Sequence, residues 1–247
     1  MSFLDHPVAM VFGYGLITAL ATGLGALPFL VVQRLSPAVL AHANALASGL
    51  MLGASFGLVA EGTAYGSVQT VVGAVLGVLF IMGTQAILHR HDVSFAHSRG
   101  QGARKMLLIM IVMTVHSFAE GVAVGVSFGG GMTLALVIVI AIAVHNVPEG
   151  IAISAVMRPQ GVSVGRCALW SIVSSLPQPL MAVPAFLMVG TFEQVLPYGI
   201  GFAAGAMVFM VLEELLPEAY ERARKLSVAL LVSLTLLGMV FFQRYLQ

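Results

Sequence analysis

Apolar residues along this chain fall in long runs separated by short polar breaks. The runs lie near 8–32, 38–60, 68–88, 106–128, 132–156, 167–189, 195–217 and 226–246. Each has about the 20 residues a helix needs to cross a bilayer. The breaks carry turn and charge signals: Gln33-Arg34-Leu35-Ser36-Pro37, Gly129-Gly130-Gly131, Arg158-Pro159-Gln160-Gly161 and the charged stretch from Glu218 to Lys225. Residues 89–105 form the one long polar loop. The pattern predicts an all-α polytopic membrane protein with eight transmembrane helices in a single transmembrane domain. Composition agrees. Of 247 residues, 59% are apolar and only 9% charged, with a mean hydropathy of +1.01. A water-soluble domain carries roughly a quarter charged residues, so the excess apolar surface needs lipid to cover it.

Charge placement adds a direction. Arg34 lies in the first loop, Arg90, Arg99, Arg104 and Lys105 in the third, Arg158 and Arg166 in the fifth, and Arg222, Arg224 and Lys225 in the seventh. Only Arg244 departs from the odd-numbered loops. Because positive loops stay inside, both termini are expected outside. The net charge of +1 excludes a nucleic-acid surface. The single cysteine, Cys167, cannot form an internal disulfide and reads as a packing residue. The N-terminal segment 1–7 has no Lys/Arg n-region and is not read as a signal peptide. A weak echo, Ala47-Ser48-Gly49-Leu50-Met51 in the second helix against Ala203-Ala204-Gly205-Ala206-Met207 in the seventh, suggests inverted-repeat character. Small-residue helix packing also explains it.

The chemistry lies in ionisable residues inside the apolar runs. Helix four contains His116-Ser117-Phe118-Ala119-Glu120-Gly121, and helix five contains His145-Asn146-Val147-Pro148-Glu149-Gly150. Both read H-x-x-x-E-G. A spacing of four puts His and Glu on one helical face, and both pairs fall about midway along neighbouring antiparallel spans. Charge at that depth costs several kcal/mol, at ~3 or more per group, unless it is paired or hydrated. Two imidazoles and two carboxylates suit a borderline divalent cation such as zinc or ferrous iron. Simple His–Glu hydrogen bonding would account for one such pair, but two identical pairs at matched depth favour metal. In helix six, Ser174-Ser175-Leu176-Pro177-Gln178-Pro179 predicts a break, because two prolines withdraw backbone donors and leave carbonyls unpaired in the preceding turn. Pro148 is expected to do the same beside Glu149. Glu213 and Glu214, near the inner end of helix seven, either receive a departing cation or form a solvated helix end beside Arg222 and Arg224. His89, His91 and His97 in the third loop form a loose cluster at the same face, with a mobile basic loop as the alternative.

At these residues the chain resembles the ZIP family of divalent metal transporters, particularly its bacterial GufA-like members. HSFAEGVAVG, HNVPEGIAIS, TGLGALPF in helix one and EELLPEA in helix seven carry the likeness, which runs over nearly the whole chain. The resemblance implies eight helices in a 3+2+3 arrangement, a metal site between helices four and five, often a homodimer, and elevator-like or rocking movement of a helix bundle. It places His116, Glu120, His145 and Glu149 in the family's first metal site. Ser117, Asn146 and Gln178 fall where some members place Asn, Asp and Glu for a second metal. All three are neutral, so one strong site is expected.

The function expected is movement of divalent metal toward the cytoplasm, with Zn²⁺ as substrate, Fe²⁺, Mn²⁺ or Cd²⁺ as further ones, and no organic cofactor. A bacterial inner membrane is the expected location. Two other readings use the same ligands: an intramembrane metalloenzyme activating water, and a metal sensor without transport. The first lacks H-E-x-x-H and any separate general base.

Overall fold

A backbone in lipid has no water to bond, so each apolar run must satisfy its own N–H and C=O groups, which a helix does within one segment. The computed structural model describes residues 7–90, 101–191 and 193–246, and every regular element among them is helical. The helices are α1 (Pro7–Leu24), α2 (Pro37–Arg90), α3 (Gln101–Ser127), α4 (Met132–Met157), α5 (Val164–Ser174), α6 (Pro177–Thr191), α7 (Leu196–Met210), α8 (Leu216–Arg222) and α9 (Lys225–Leu246). Six stretches of the described residues are long and apolar enough to cross a membrane, the longest being Pro37–Gly83 with 47 residues. This is an integral membrane protein of all-helical class.

Two runs read separately from hydropathy, 38–60 and 68–88, lie within α2. A straight helix of 54 residues would extend about 80 Å, far beyond a hydrocarbon core of about 30 Å. It does not run straight: Gly66 is non-helical (φ 172°, ψ 106°), and the chain folds back there. A β-carbon on Gly62 would lie 2.8 Å from Thr70 Oγ1, eight residues on. The two arms then find different partners. Before the fold, Gly53 approaches α9, where a β-carbon would meet Met239 Cβ at 2.6 Å. After it, Gly77 faces Ala206 of α7, and a β-carbon on Gly205 would meet Ala74 Cα at 2.7 Å. Met51 and Met207, the last residues of the sequence echo, are both fully buried in one core with Ile138, Ile142 and Ile200.

The packing falls into two groups. The first comprises α1, α3, α4, α5 and α6, and the second comprises α2, α7, α8 and α9; α2 against α4 and α3 against α7 join them. On α9 the residues Leu226, Leu230, Leu234, Leu237 and Phe241 form an exposed apolar stripe, the surface that lipid covers in a protein of this class.

The run 167–189 is broken where the proline pair predicts, between α5 and α6. The expected unpaired carbonyls do not occur there. Leu176 N–H donates to Val173 O at 3.3 Å and Gln178 N–H to Ser175 O at 3.0 Å. Tightening to three-residue bonds replaces the donors that Pro177 and Pro179 lack. α4 continues through Pro148 as one helix. Between α7 and α8 the segment Val211–Leu215 winds as a π-helix, a rare geometry that often marks functional segments. Cys167 is fully buried against Ala26, Met113, Ile153 and Met157, as a packing residue.

Gly205→Leu is expected to lower the melting temperature in detergent, by overpacking that costs about 1–3 kcal/mol. Gly13→Ala, where a β-carbon meets nothing within 4 Å, is expected to leave it unchanged or raise it. A thermal-shift comparison of the two variants with the parent checks both.

Candidate metal centre

The centre forms where α3 and α4 pass each other. His116 and Glu120 come from α3, His145 and Glu149 from α4, and all four are buried. One ligand atom from each lies within 4.8 Å of every other. The closest approaches run across the helix pair. His116 Nε2 is 2.7 Å from Glu149 Oε1, and His145 Nε2 is in contact with Glu120 Oε1. The within-helix separations are longer, 3.4 Å for His116–Glu120 and 3.8 Å for His145–Glu149. Four-residue spacing brings each pair to one face, and the crossing interleaves the pairs.

His116 Nε2 and Glu149 Oε1, although 2.7 Å apart, are not aligned as a hydrogen bond. Buried polar atoms seldom go unpaired, and two that approach without bonding each other suit a third body between them. The Nδ1 atoms of both histidines are also buried without partners. Ligating histidines usually donate that second nitrogen to an acceptor. Here packing and the facing carboxylates orient the rings.

The glycine that ends each H-x-x-x-E-G motif has a steric reason. A β-carbon on Gly121 would lie 2.7 Å from Gln178 O and 2.8 Å from Pro177 O, so α6 sits directly on α3 beside Glu120. A β-carbon on Gly150 would overlap the carbonyl of Thr22, so α1 sits directly on α4 beside Glu149. Small residues let helix backbones approach closely in a membrane. Each carboxylate is thereby covered by a third helix.

A neutral network holds one carboxylate. Gln178 Nε2 donates to Glu120 Oε2 at 2.6 Å, while Gln178 Oε1 accepts from Asn146 Nδ2 at 3.1 Å. Asn146 Nδ2 also donates to Thr18 O at 2.7 Å. These bonds fix the Gln178 amide with its nitrogen toward Glu120, leaving Glu120 Oε1 for the centre. Of the three residues read for a second metal position, Asn146 and Gln178 join this network, and Ser117 is buried beside His116 without entering it. Asn146 Oδ1 is buried without a partner. Thr18 was not singled out by sequence reasoning. Its signal is the spacing of Thr18 and Thr22, two hydroxyl residues one helical turn apart in an otherwise apolar run.

Of the residues read as an inner exit, Glu213 and Glu214 are not part of the ligand cluster. Glu213 is exposed and Glu214 half-buried on the π-helical turn. Glu218, four residues beyond Glu214, accepts from Asn44 Nδ2 at 2.8 Å and pairs with Arg222 at 2.8 Å. His89 lies in the last turn of α2, while His91 and His97 lie outside the described residues.

Residues 89–242 match the family described as ZIP Zinc transporter. A protein of Arabidopsis thaliana named as a zinc transporter is 46% identical over 94% of this chain, which spans 38% of that relative's length. The zinc transporter GufA of Myxococcus xanthus is 32% identical over 84% of this chain and 89% of its own length. The zinc transporter ZIPB of Bordetella bronchiseptica is 32% identical over 83% of this chain and 71% of its own. The family is one of transporters rather than enzymes. With the family match covering both H-x-x-x-E-G helices, and with a bacterial member aligned nearly end to end, this chain belongs to the ZIP zinc transporter family.

Proposed function

We propose that this protein carries a divalent transition metal, zinc foremost, across a membrane toward the cytoplasm, using His116, Glu120, His145 and Glu149 as its ligands. The observation that carries the reading is the convergence of four buried ligand atoms within 4.8 Å of one another. Imidazole nitrogen and carboxylate oxygen replace the ion's hydration shell, and the cation's charge offsets that of the carboxylates. Such ligands also take ferrous iron, manganese and cadmium, which are further substrates in this proposal. With Asn146 and Gln178 neutral and engaged with each other, the centre holds one metal.

The accompanying architecture is eight crossings in a 3+2+3 order. The two arms of α2 are the second and third, α5 with α6 the sixth, and α7 with α8 the seventh. Contacts support an inverted relation between the outer triplets. The second crossing packs through Gly53 on the eighth, as the seventh packs through Gly205 on the third. The first and sixth meet where Gly15 abuts Pro179. Lys and Arg concentrated in the odd loops support both termini outside, and the proposal sets the protein in the inner membrane of a bacterium as a homodimer. Movement of the site-bearing helix group against the other helices would carry the ion.

Zinc uptake into proteoliposomes tests the function. His116→Ala and Glu149→Ala are each expected to weaken zinc binding by about 100-fold or more, beyond the 10–100-fold typical of losing an outer-shell partner, and to abolish uptake. Unchanged transport by both variants would refute the assignment. Because ligands bind deprotonated, zinc affinity is expected to fall as pH is lowered, which titration calorimetry across pH reads directly.

Gln178→Glu replaces the donor on Glu120 Oε2 with a second carboxylate. The variant is expected to melt lower than the parent without metal, to be restored by zinc, and to bind two ions where the parent binds one. Metal analysis after gel filtration gives the stoichiometry.

For orientation, Met132→Cys is expected to react with an impermeant thiol reagent on intact cells, and Gln160→Cys only after lysis. The parent, whose lone Cys167 is buried, is the reference.

A further inference from the structure

Arg244 is the one basic residue that the loop pattern does not explain. It stands in the last turn of α9. A helix of 22 residues extends about 33 Å and a hydrocarbon core about 30 Å, so this end of α9 reaches the level of lipid headgroups. Tyr245 beside it is exposed, as aromatic residues at that level commonly are.

Arg244 opens onto a cavity of about 410 Å³ between α9 and the first arm of α2. Small-molecule sites span roughly 300–1,000 Å³. Glycines at four-residue spacing shape this one. Gln243 is buried, and its Nε2 donates to Gly53 O at 3.1 Å. A β-carbon on Gly57 would lie 2.5 Å from Gln243 Oε1, so the amide lies against the glycine face of α2. One turn beyond Gly57, the same stripe brings Glu61 to the cavity. Its Cγ lies 3.7 Å from where a β-carbon on Gly130 would stand, beside the turn between α3 and α4.

Glu61 and Arg244 thus line one cavity with opposite charges. Among the described residues they do not form an ion pair with each other or with any other group. Paired, they would cancel. Separate, they offer one guest both an anionic acceptor and a cationic donor. The cavity also has an apolar side, because Phe56 and Val240 line it and are both exposed. Val240 adjoins Leu237 in the exposed stripe of α9.

We propose that this cavity binds the headgroup of a membrane phospholipid bearing a primary amine, the phosphoethanolamine class. Its phosphate sits on Arg244 and its ammonium on Glu61, beside the Gln243 amide. The guanidinium matches phosphate oxygens through a planar fork of donors. The carboxylate accepts hydrogen bonds from a primary ammonium, which a quaternary choline cannot donate. A glycerol headgroup brings no cation and leaves Glu61 without a partner. Phe56 and Val240 lead the acyl chains onto the lipid-facing stripe of α9, which a water-soluble amine phosphate has no chains to use. An arginine that only snorkels to the nearest phosphate would make no choice among these headgroups.

Native mass spectrometry of the solubilised protein, titrated with dioleoyl lipids of ethanolamine, choline and glycerol headgroup, tests the site. The ethanolamine lipid is expected to bind about tenfold more tightly than the other two, the order of one hydrogen bond to a charged group. Glu61→Gln is expected to bring the ethanolamine lipid down to the choline value. Arg244→Gln is expected to weaken every lipid by about tenfold, through loss of the phosphate contact. Ala60→Trp, which fills the cavity from an exposed position, is expected to erase the preference at an unchanged melting temperature. Soluble glycerophosphoethanolamine is expected to bind roughly 100-fold more weakly than the lipid, because no acyl chains are buried with it. A parent that binds the three lipids equally would overturn the proposal, and so would a Glu61→Gln variant that keeps the parental preference. A soluble headgroup that binds as tightly as the lipid would overturn a lipid as the occupant. Lipid affinity is read without zinc, so the outcome is independent of the transport assay.

Discussion

Two buried carboxylates that, among the described residues, pair with histidines and with no Lys or Arg set the terms for the rest of this molecule. Taking an ion out of water costs several kcal/mol even after relaxation, on the order of 5 or more. Glu120 and Glu149 meet instead two imidazoles and one amide, with the histidines of each helix facing the carboxylate of the other. That arrangement is incomplete by itself. Unpaired atoms remain on His116, His145, Asn146 and Glu149, and the four clustered ligand atoms are the set that the proposed cation would use.

Close helix packing makes the arrangement dry and rigid. Gly121 and Gly150, each directly after a ligand carboxylate, let α6 and α1 press their backbones onto α3 and α4. The proline pair after Ser175 works toward the same end. By tightening the chain into three-residue bonds without leaving carbonyls bare, it starts a new helix at the level where Gln178 reaches Glu120. Gln178, held by Asn146 and through it by the backbone of α1, occupies one oxygen of that carboxylate and leaves the other facing the two histidines.

The helix group that holds the ligands and the group formed by α2, α7, α8 and α9 differ in what they expose to each other. The ligand group is threaded by hydroxyls, amides and imidazoles, while the second combines glycine and apolar contacts along the folded α2 with polar ties from Asn44 to Glu218 and from Gln243 to Gly53 O. Contacts of that apolar kind are non-directional. Polar connections within the first group are directional and tie α1, α3, α4 and α6 together at the centre.

Much of this was legible in the chain itself. Hydropathy alone marks where helices form, because lipid permits a lone segment no other way to satisfy its backbone. Four-residue spacing alone puts His116 with Glu120 and His145 with Glu149 on common faces, since helical geometry is local. The proline pair alone marks the break before Gln178. The rest depended on which helices touch, and no local rule specifies that. Only the tertiary structure showed that the tightest His–Glu approaches cross between helices, that Gly66 folds α2 back on itself, and that prolines 177 and 179 leave no bare carbonyl. It also showed that Thr18 lends a backbone oxygen to the centre, and that Ser154 and Ser171, unremarkable in a run of apolar residues, are left without partners. Satisfaction of a buried polar atom is a property of its neighbours in space, and that is why the sequence could pick out the two His/Glu pairs but not the network around them.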